Sequence, residues 1–105
     1  MAWLYLFSAG ILEVVWAFTM KQSDGFSRPG PTAITIVTMI GSFALLSLAM
    51  RSLPLGTAYT IWTGIGAVGA FLVGVTVLGE GVTPMRIAAA VLIVSGLVMM
   101  KLAAQ

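Results

Sequence analysis

Four apolar runs, each close to the length of one bilayer crossing, dominate the chain: 2–20, 31–50, 57–78 and 84–102. A hydrocarbon core about 30 Å thick takes roughly 20 helical residues to cross. Only helices and closed barrels satisfy their backbone hydrogen bonds in lipid. Barrel strands are about 10 residues long and alternate in polarity, which these runs do not. Charged residues make up 8% of the chain and hydrophobic ones 60%. Soluble domains carry roughly 25% charged residues, so this chain lacks the polar surface to coat a water-soluble globule. The expected fold is all-α, with residues 1–105 forming a single transmembrane domain of four helices. The first run is expected to be a retained span rather than a cleavable leader. It has no basic stretch before it, it carries Glu13 and Trp16, and it is not followed by a small-x-small cleavage pattern before Lys21.

The breaks between the runs carry helix punctuation. Lys21 closes the first run, and a loop rich in Gly, Ser and Pro leads to Pro31, which follows Gly30 and is expected to open the second helix. Arg51 and the turn Ser52 to Gly56 precede the third run, and Gly79-Glu80-Gly81-Val82 follow it. Thr83 is placed to cap the fourth helix, with Pro84 at its first position, where the missing N–H is harmless. The third run holds Gly64, Gly66, Gly69 and Gly74. Gly66, Ala70 and Gly74 form a small-xxx-small ridge suited to close helix packing. Gly64 and Gly66 also weaken the helix locally and would let it bend during a conformational cycle. In the fourth run Ala89 and Gly96, one heptad apart, suit either an oligomer contact or packing within the chain.

Cysteine and histidine are both absent. That removes disulfides, thiolate metal sites and the commonest catalytic base and metal ligand. No nucleophile–base pair, phosphate loop or metal-ligand set is present, so neither an enzyme nor a cofactor or metal is expected. A net charge of +2, scattered along the chain, gives no basic patch for nucleic acid. With the N-terminus on side one of the membrane, Arg51 and Lys101 fall on side one, and Lys21, Arg28 and Arg86 on side two. Orientation is fixed by a clear Lys/Arg excess. Here the bias is slight, which leaves open insertion in both senses or a single orientation set by the side-two residues.

Glu13 lies inside the first run, eleven residues beyond Ala2. At 1.5 Å per residue this is roughly 16 Å deep, near the bilayer centre. An ionisable group there costs several kcal/mol and marks a functional site by default. The bland alternative is a neutral carboxyl joining two helices by a hydrogen bond. Burial favours the protonated form of a carboxyl group, and a second carboxylate nearby does so further. Such a group can surrender its proton near neutral pH and take a cation instead. Gly10, Trp16 and Ala17 share its helix face, and Tyr59, Trp62, Thr63 and Gly66 share a face of the third helix. Tyr, Ser and Trp can hydrogen-bond a carboxylate, and aromatic faces attract cations. Trp3 and Tyr5 suit an interfacial belt; Trp16 and Trp62 suit it less well, and Tyr59 partly. Ser42, midway along the second run, is a further candidate unless it bonds its own backbone.

Three segments carry a family resemblance: Leu12-Glu13-Val14-Val15-Trp16-Ala17, Gly25-Phe26-Ser27-Arg28, and the stretch from Leu53 through Pro54, Gly56, Tyr59, Trp62 and Gly64 to Ala67. They resemble the small multidrug resistance transporters, over the whole chain. Trp16 stands where the branch exporting quaternary ammonium and aromatic cations usually has Gly, and Met39 where a well-known member of that branch has Tyr. These positions, the run Trp62 to Ala70 and Lys101 look like the guanidinium-exporting branch. The resemblance implies a proton-coupled antiporter of the bacterial inner membrane. It would act by alternating access as an antiparallel, dual-topology homodimer, with Glu13 as the shared proton and substrate site. Trp16, Ser42, Tyr59 and Trp62 would complete the pocket. Its partners would then be guanidinium or small substituted guanidiniums, protons, lipid and a second copy of the chain. A drug exporter of the same family and a non-transporting subunit of a larger membrane complex are the alternatives.

Overall fold

The computed structural model describes residues 1–103, so the last two residues of the expected 1–105 domain lie outside the described residues. The described chain forms four helices, α1 (Ala2–Gln22), α2 (Pro29–Ala49), α3 (Leu55–Thr76) and α4 (Pro84–Ala103). All are long and apolar enough to cross a membrane.

Several expected helix ends need adjusting by one or two residues, for identifiable reasons. α1 continues to Gln22, and the Ser23 N–H closes its last turn on the Thr19 carbonyl at 2.9 Å. α2 opens at Pro29, not Pro31, behind an extended Arg28 whose carbonyl accepts from Thr32 N–H at 3.1 Å. Both prolines fall in the first turn, where backbone N–H groups have no helical acceptor to lose. α3 opens at Leu55, not Thr57, after the extended Pro54, and ends at Thr76, not Leu78. There Gly79 takes a left-handed φ of +69°, and Glu80 N–H turns back to the Gly74 carbonyl at 2.9 Å. α4 starts at Pro84 as expected, with the Thr83 hydroxyl accepting from Arg86 N–H at 3.1 Å.

The α1–α2 loop is tightly made. Asp24, Gly25 and Phe26 all have positive φ, of 51°, 71° and 66°. The left-handed region costs roughly 1–2 kcal/mol for a residue with a Cβ. Buried Ser23 offsets that cost: its hydroxyl donates to the Met20 carbonyl at 2.7 Å and accepts from Phe26 N–H at 3.1 Å. Its carbonyl accepts from Ser27 and Arg28 N–H groups at 2.9 and 3.1 Å.

In space the helices follow the order α2, α1, α3, α4, with α4 an edge that packs on α3. The molecule measures 42 × 35 × 16 Å, and its radius of gyration is 14.5 Å, against about 13 Å for a globule of this length. The bundle is therefore flattened, with α1, α2 and α3 packed together and α4 at the edge. The packed core, Leu6, Ala9, Leu46, Ala49, Ala58, Ile61 and Trp62, comes from the side-one halves of α1, α2 and α3. Towards side two, α1 and α2 are tied by the buried hydroxyls of Thr19 and Thr35, 2.6 Å apart. No residue of α4 is fully buried.

The glycines of α3 are close approaches. A Cβ on Gly64 would overlap the Leu97 side chain of α4, and one on Gly69 would overlap Val14 of α1. α3 runs unbroken through Gly64 and Gly66. Gly64→Ala is therefore expected to cost about 1–3 kcal/mol, as overpacking does. In a double-mutant cycle with Leu97→Ala, measured by reversible unfolding in mixed micelles, the two changes should couple by at least about 0.5 kcal/mol. Strict additivity would show that the contact carries no stability.

Candidate functional site

Glu13 is half-buried on the face of α1 that meets α3, and its carboxyl lies directly over Gly66. A Cβ at position 66 would overlap the carboxyl carbon and Oε1, so hydrogen is the only side chain that leaves this seat open. Glu13 Oε1 is buried and has no hydrogen-bond partner, and one turn further along α1 the indole Nε1 of Trp16 is also buried and unpartnered. An acceptor and a donor one helical turn apart are thus each left unpaired in a low-dielectric setting, where an orphaned polar group costs several kcal/mol. Unsatisfied buried groups of this kind are rare in native structures and call for a ligand or a partner.

The other expected site residues fall into a second, connected group. Ser42 on α2 is wholly buried, and its hydroxyl donates to the Ala9 carbonyl of α1 at 2.7 Å. It also accepts from the Trp62 indole of α3 at 3.0 Å. Ser42 thus bridges three helices, whereas the hydroxyls of Thr32, Thr38, Thr76 and Ser95 bond carbonyls of their own helix. Tyr59 stacks obliquely on Trp62 at 5.6 Å between ring centroids. Among the described residues, Glu13 accepts no hydrogen bond from Ser42, Tyr59 or Trp62.

One residue of this site was not singled out from the sequence. Phe43 meets Trp16 edge-on at 6.3 Å and Trp62 edge-on at 5.7 Å. Such pairs contribute about 0.5–1.5 kcal/mol beyond their burial. Phe43 joins the tryptophan beside Glu13 to the Ser42–Trp62 bridge, making one aromatic row: Trp16, Phe43, Trp62, Tyr59. Two members of the row stay open, Phe43 at 48% and Tyr59 at 54% exposed. The only sequence signal was an aromatic side chain next to the mid-helix Ser42.

Gly64 faces α4 and Gly66 faces Glu13. Ala89 is exposed, and a Cβ on Gly96 would meet nothing within 4 Å, so neither residue is committed to packing within the chain. Among the described residues no group of His, Cys, Asp and Glu could hold a metal ion. Lys101 reaches from α4 to the ring of Trp3, with its ammonium 4.7 Å from the centroid.

A profile of the family described as Small Multidrug Resistance protein matches residues 1–103. A guanidinium exporter of Escherichia coli (strain K12) is 56% identical over 102 residues, covering 97% of both chains. One from Salmonella typhimurium (strain LT2) is 55% identical over 104 residues, covering 99% of both. A guanidinium exporter of Citrobacter freundii is 54% identical over 102 residues, covering 97% of both.

The Ser42 bridge has a measurable consequence. Ser42→Ala leaves the Trp62 N–H without its acceptor and removes the second hydrogen bond to the Ala9 carbonyl, which keeps its helical one. Unfolding free energy should fall by about 1 kcal/mol, within the range of interhelical hydrogen bonds in membranes, and Trp62 fluorescence should shift. An unchanged unfolding midpoint and spectrum would mean that the bridge does not join the helices.

Proposed function

The chain belongs to the Small Multidrug Resistance family, and from that premise we propose that it exports guanidinium, exchanging the cation for protons at Glu13. It is a multi-pass protein of the bacterial inner membrane and a transporter, not an enzyme. The substrate follows the shared name of its close relatives. The exchange at Glu13 rests chiefly on one observation: the buried Glu13 Oε1 has no hydrogen-bond partner, and neither has the Trp16 N–H one turn further along α1. Guanidinium is planar, permanently charged near neutral pH and presents paired N–H donors that match a carboxylate. The Trp16 N–H needs an acceptor that α1 does not supply, and a carboxylate from a second copy would suit it.

The working unit in this proposal is an antiparallel homodimer. A slab 16 Å thick encloses no path across a membrane, and many transporters place their site between two inverted halves. Ala89 and Gly96 on the largely exposed α4 would seat the second copy. Two Glu13 side chains would then share protons or one cation and titrate as a coupled pair. Trp16 and Trp62 confine the flat ion, while Ser42, which bonds the Trp62 indole, and Tyr59, which packs on its ring, hold Trp62 in place. Gly64 and Gly66 let α3 bend as the open face alternates.

Electrical recording of proteoliposomes tests the substrate and the coupling. Guanidinium should drive proton-coupled current, bulky tetraphenylphosphonium should drive little, and Glu13→Gln should abolish the current. Undiminished coupled current in Glu13→Gln sinks the mechanism, and phosphonium transport without guanidinium transport points to a drug exporter instead. Dual insertion has its own check, because the chain lacks cysteine. Val82→Cys, on an exposed loop, should be labelled about half from each face of sealed vesicles, as a weak charge bias requires. Labelling from one face alone would contradict the antiparallel dimer.

A further inference from the structure

Beyond Glu13, towards side two, lies a cavity of about 320 Å³ whose walls include Ala17, Lys21, Ala70, Phe71, Glu80 and Arg86. Ala17 is one turn beyond Glu13 and Ala70 one turn beyond Gly66, so its inner end adjoins the carboxylate seat. The packed core lies on the opposite, side-one half. The cavity's volume is about ten times a water molecule's ~30 Å³ share of the liquid, ample for a small cation with part of its hydration.

The outer end of the cavity already holds a guanidinium group, that of Arg86. Its Cζ lies 5.8 Å from the Phe71 ring centroid, within the ~6 Å over which a ring face attracts a cation. Its Nη1 donates to the Gly81 carbonyl at 3.0 Å. Glu80 shares the cavity, its carboxylate set against Gly74 where a Cβ would overlap it. An aromatic face, a carbonyl acceptor and a carboxylate are the groups that would bind a free guanidinium ion. The charged residues lining the space are Lys21, Arg86 and Glu80. With Arg86 seated the wall is net positive, and with Arg86 swung out to water it is neutral.

We infer that this cavity is a second guanidinium station, between bulk water and Glu13, and that Arg86 occupies it as a tethered competitor. The inference rests on guanidinium being the substrate. A free ion takes the Phe71 face, the Gly81 carbonyl and the Glu80 carboxylate when Arg86 leaves, then passes inward to Glu13. Arg86 reclaims the place and keeps the mouth from holding a second cation.

The test removes the central site and measures binding alone. Guanidinium enriched in ¹⁵N is titrated by NMR against Glu13→Gln protein in lipid nanodiscs, with and without Arg86→Lys. Lysine keeps the loop charge, and so the insertion bias, but lacks the planar donor fork. Saturable binding should appear, or tighten at least about tenfold, when Arg86→Lys is added. It should weaken by a similar factor when Glu80→Gln or Phe71→Leu is added to that chain. Equal binding with and without Arg86→Lys overturns the proposal, as does indifference to both Glu80→Gln and Phe71→Leu. Because the central carboxylate is absent throughout, these results are independent of whether Glu13→Gln abolishes transport.

Discussion

The closeness of α1 to α3 is set by a carboxylate against a glycine. Glu13 sits where lipid and protein together exclude most water, and its carboxyl occupies the space that any side chain on Gly66 would fill. The same requirement extends along the interface in both directions: Gly10 admits Ile65, and Gly69 admits Val14. Small residues therefore do more here than help two helices pack. They bring the α3 backbone so near that the carboxyl group is held against it without a hydrogen-bonding partner for its buried oxygen. A larger residue at 66 would satisfy packing elsewhere while moving the one group whose position matters.

Packing density differs sharply between the two ends of the helices. Towards side one, Leu6, Ala9, Leu46, Ala58, Ile61 and Trp62 close the space, and the Ala9–Ser42–Trp62 chain of hydrogen bonds ties α1, α2 and α3 together. Towards side two, the Thr19–Thr35 pair holds α1 to α2, but α1 and α3 separate around a cavity. Glu13 lies between the packed α1–α2–α3 core and the side-two cavity. The polar bridge belongs with that core: a fully satisfied buried network fixes relative helix positions.

Local signals made the spans legible in the sequence, and non-local contacts concealed the details of the site. Runs of about 20 apolar residues specify transmembrane helices almost by length alone, and the Thr83–Pro84 start followed from capping chemistry. The start of α2 was misplaced because Pro29 and Pro31 are equally acceptable in a first turn, and only the extended Arg28 decides between them. Glu13 announced itself through the cost of burying a charge. Ser42 did not reveal its partners, since Ala9 is 33 residues earlier and Trp62 20 residues later. Phe43 was hidden for a different reason: an aromatic residue in an apolar run looks the same whether it faces lipid or joins two tryptophans.

Arg86 shows how one side chain can answer two unrelated demands. Its charge counts in the balance between loops that governs insertion, where lysine would serve equally well. Its guanidinium plane, set on Phe71 and bonded to the Gly81 carbonyl, uses properties that lysine lacks. Arg28, the other loop arginine on that side, reaches only the Gln22 carbonyl at 3.4 Å and makes no ring contact among the described residues. Insertion therefore explains a cation at 86, but not the planar cation lodged in the wall of the cavity that leads to the carboxylate. A group chemically alike to the transported ion, fixed by one covalent tether at the mouth of that cavity, has a high effective concentration there. It can be displaced only by an ion that makes the same contacts, so the mouth would select for planar guanidinium donors before they reach Glu13.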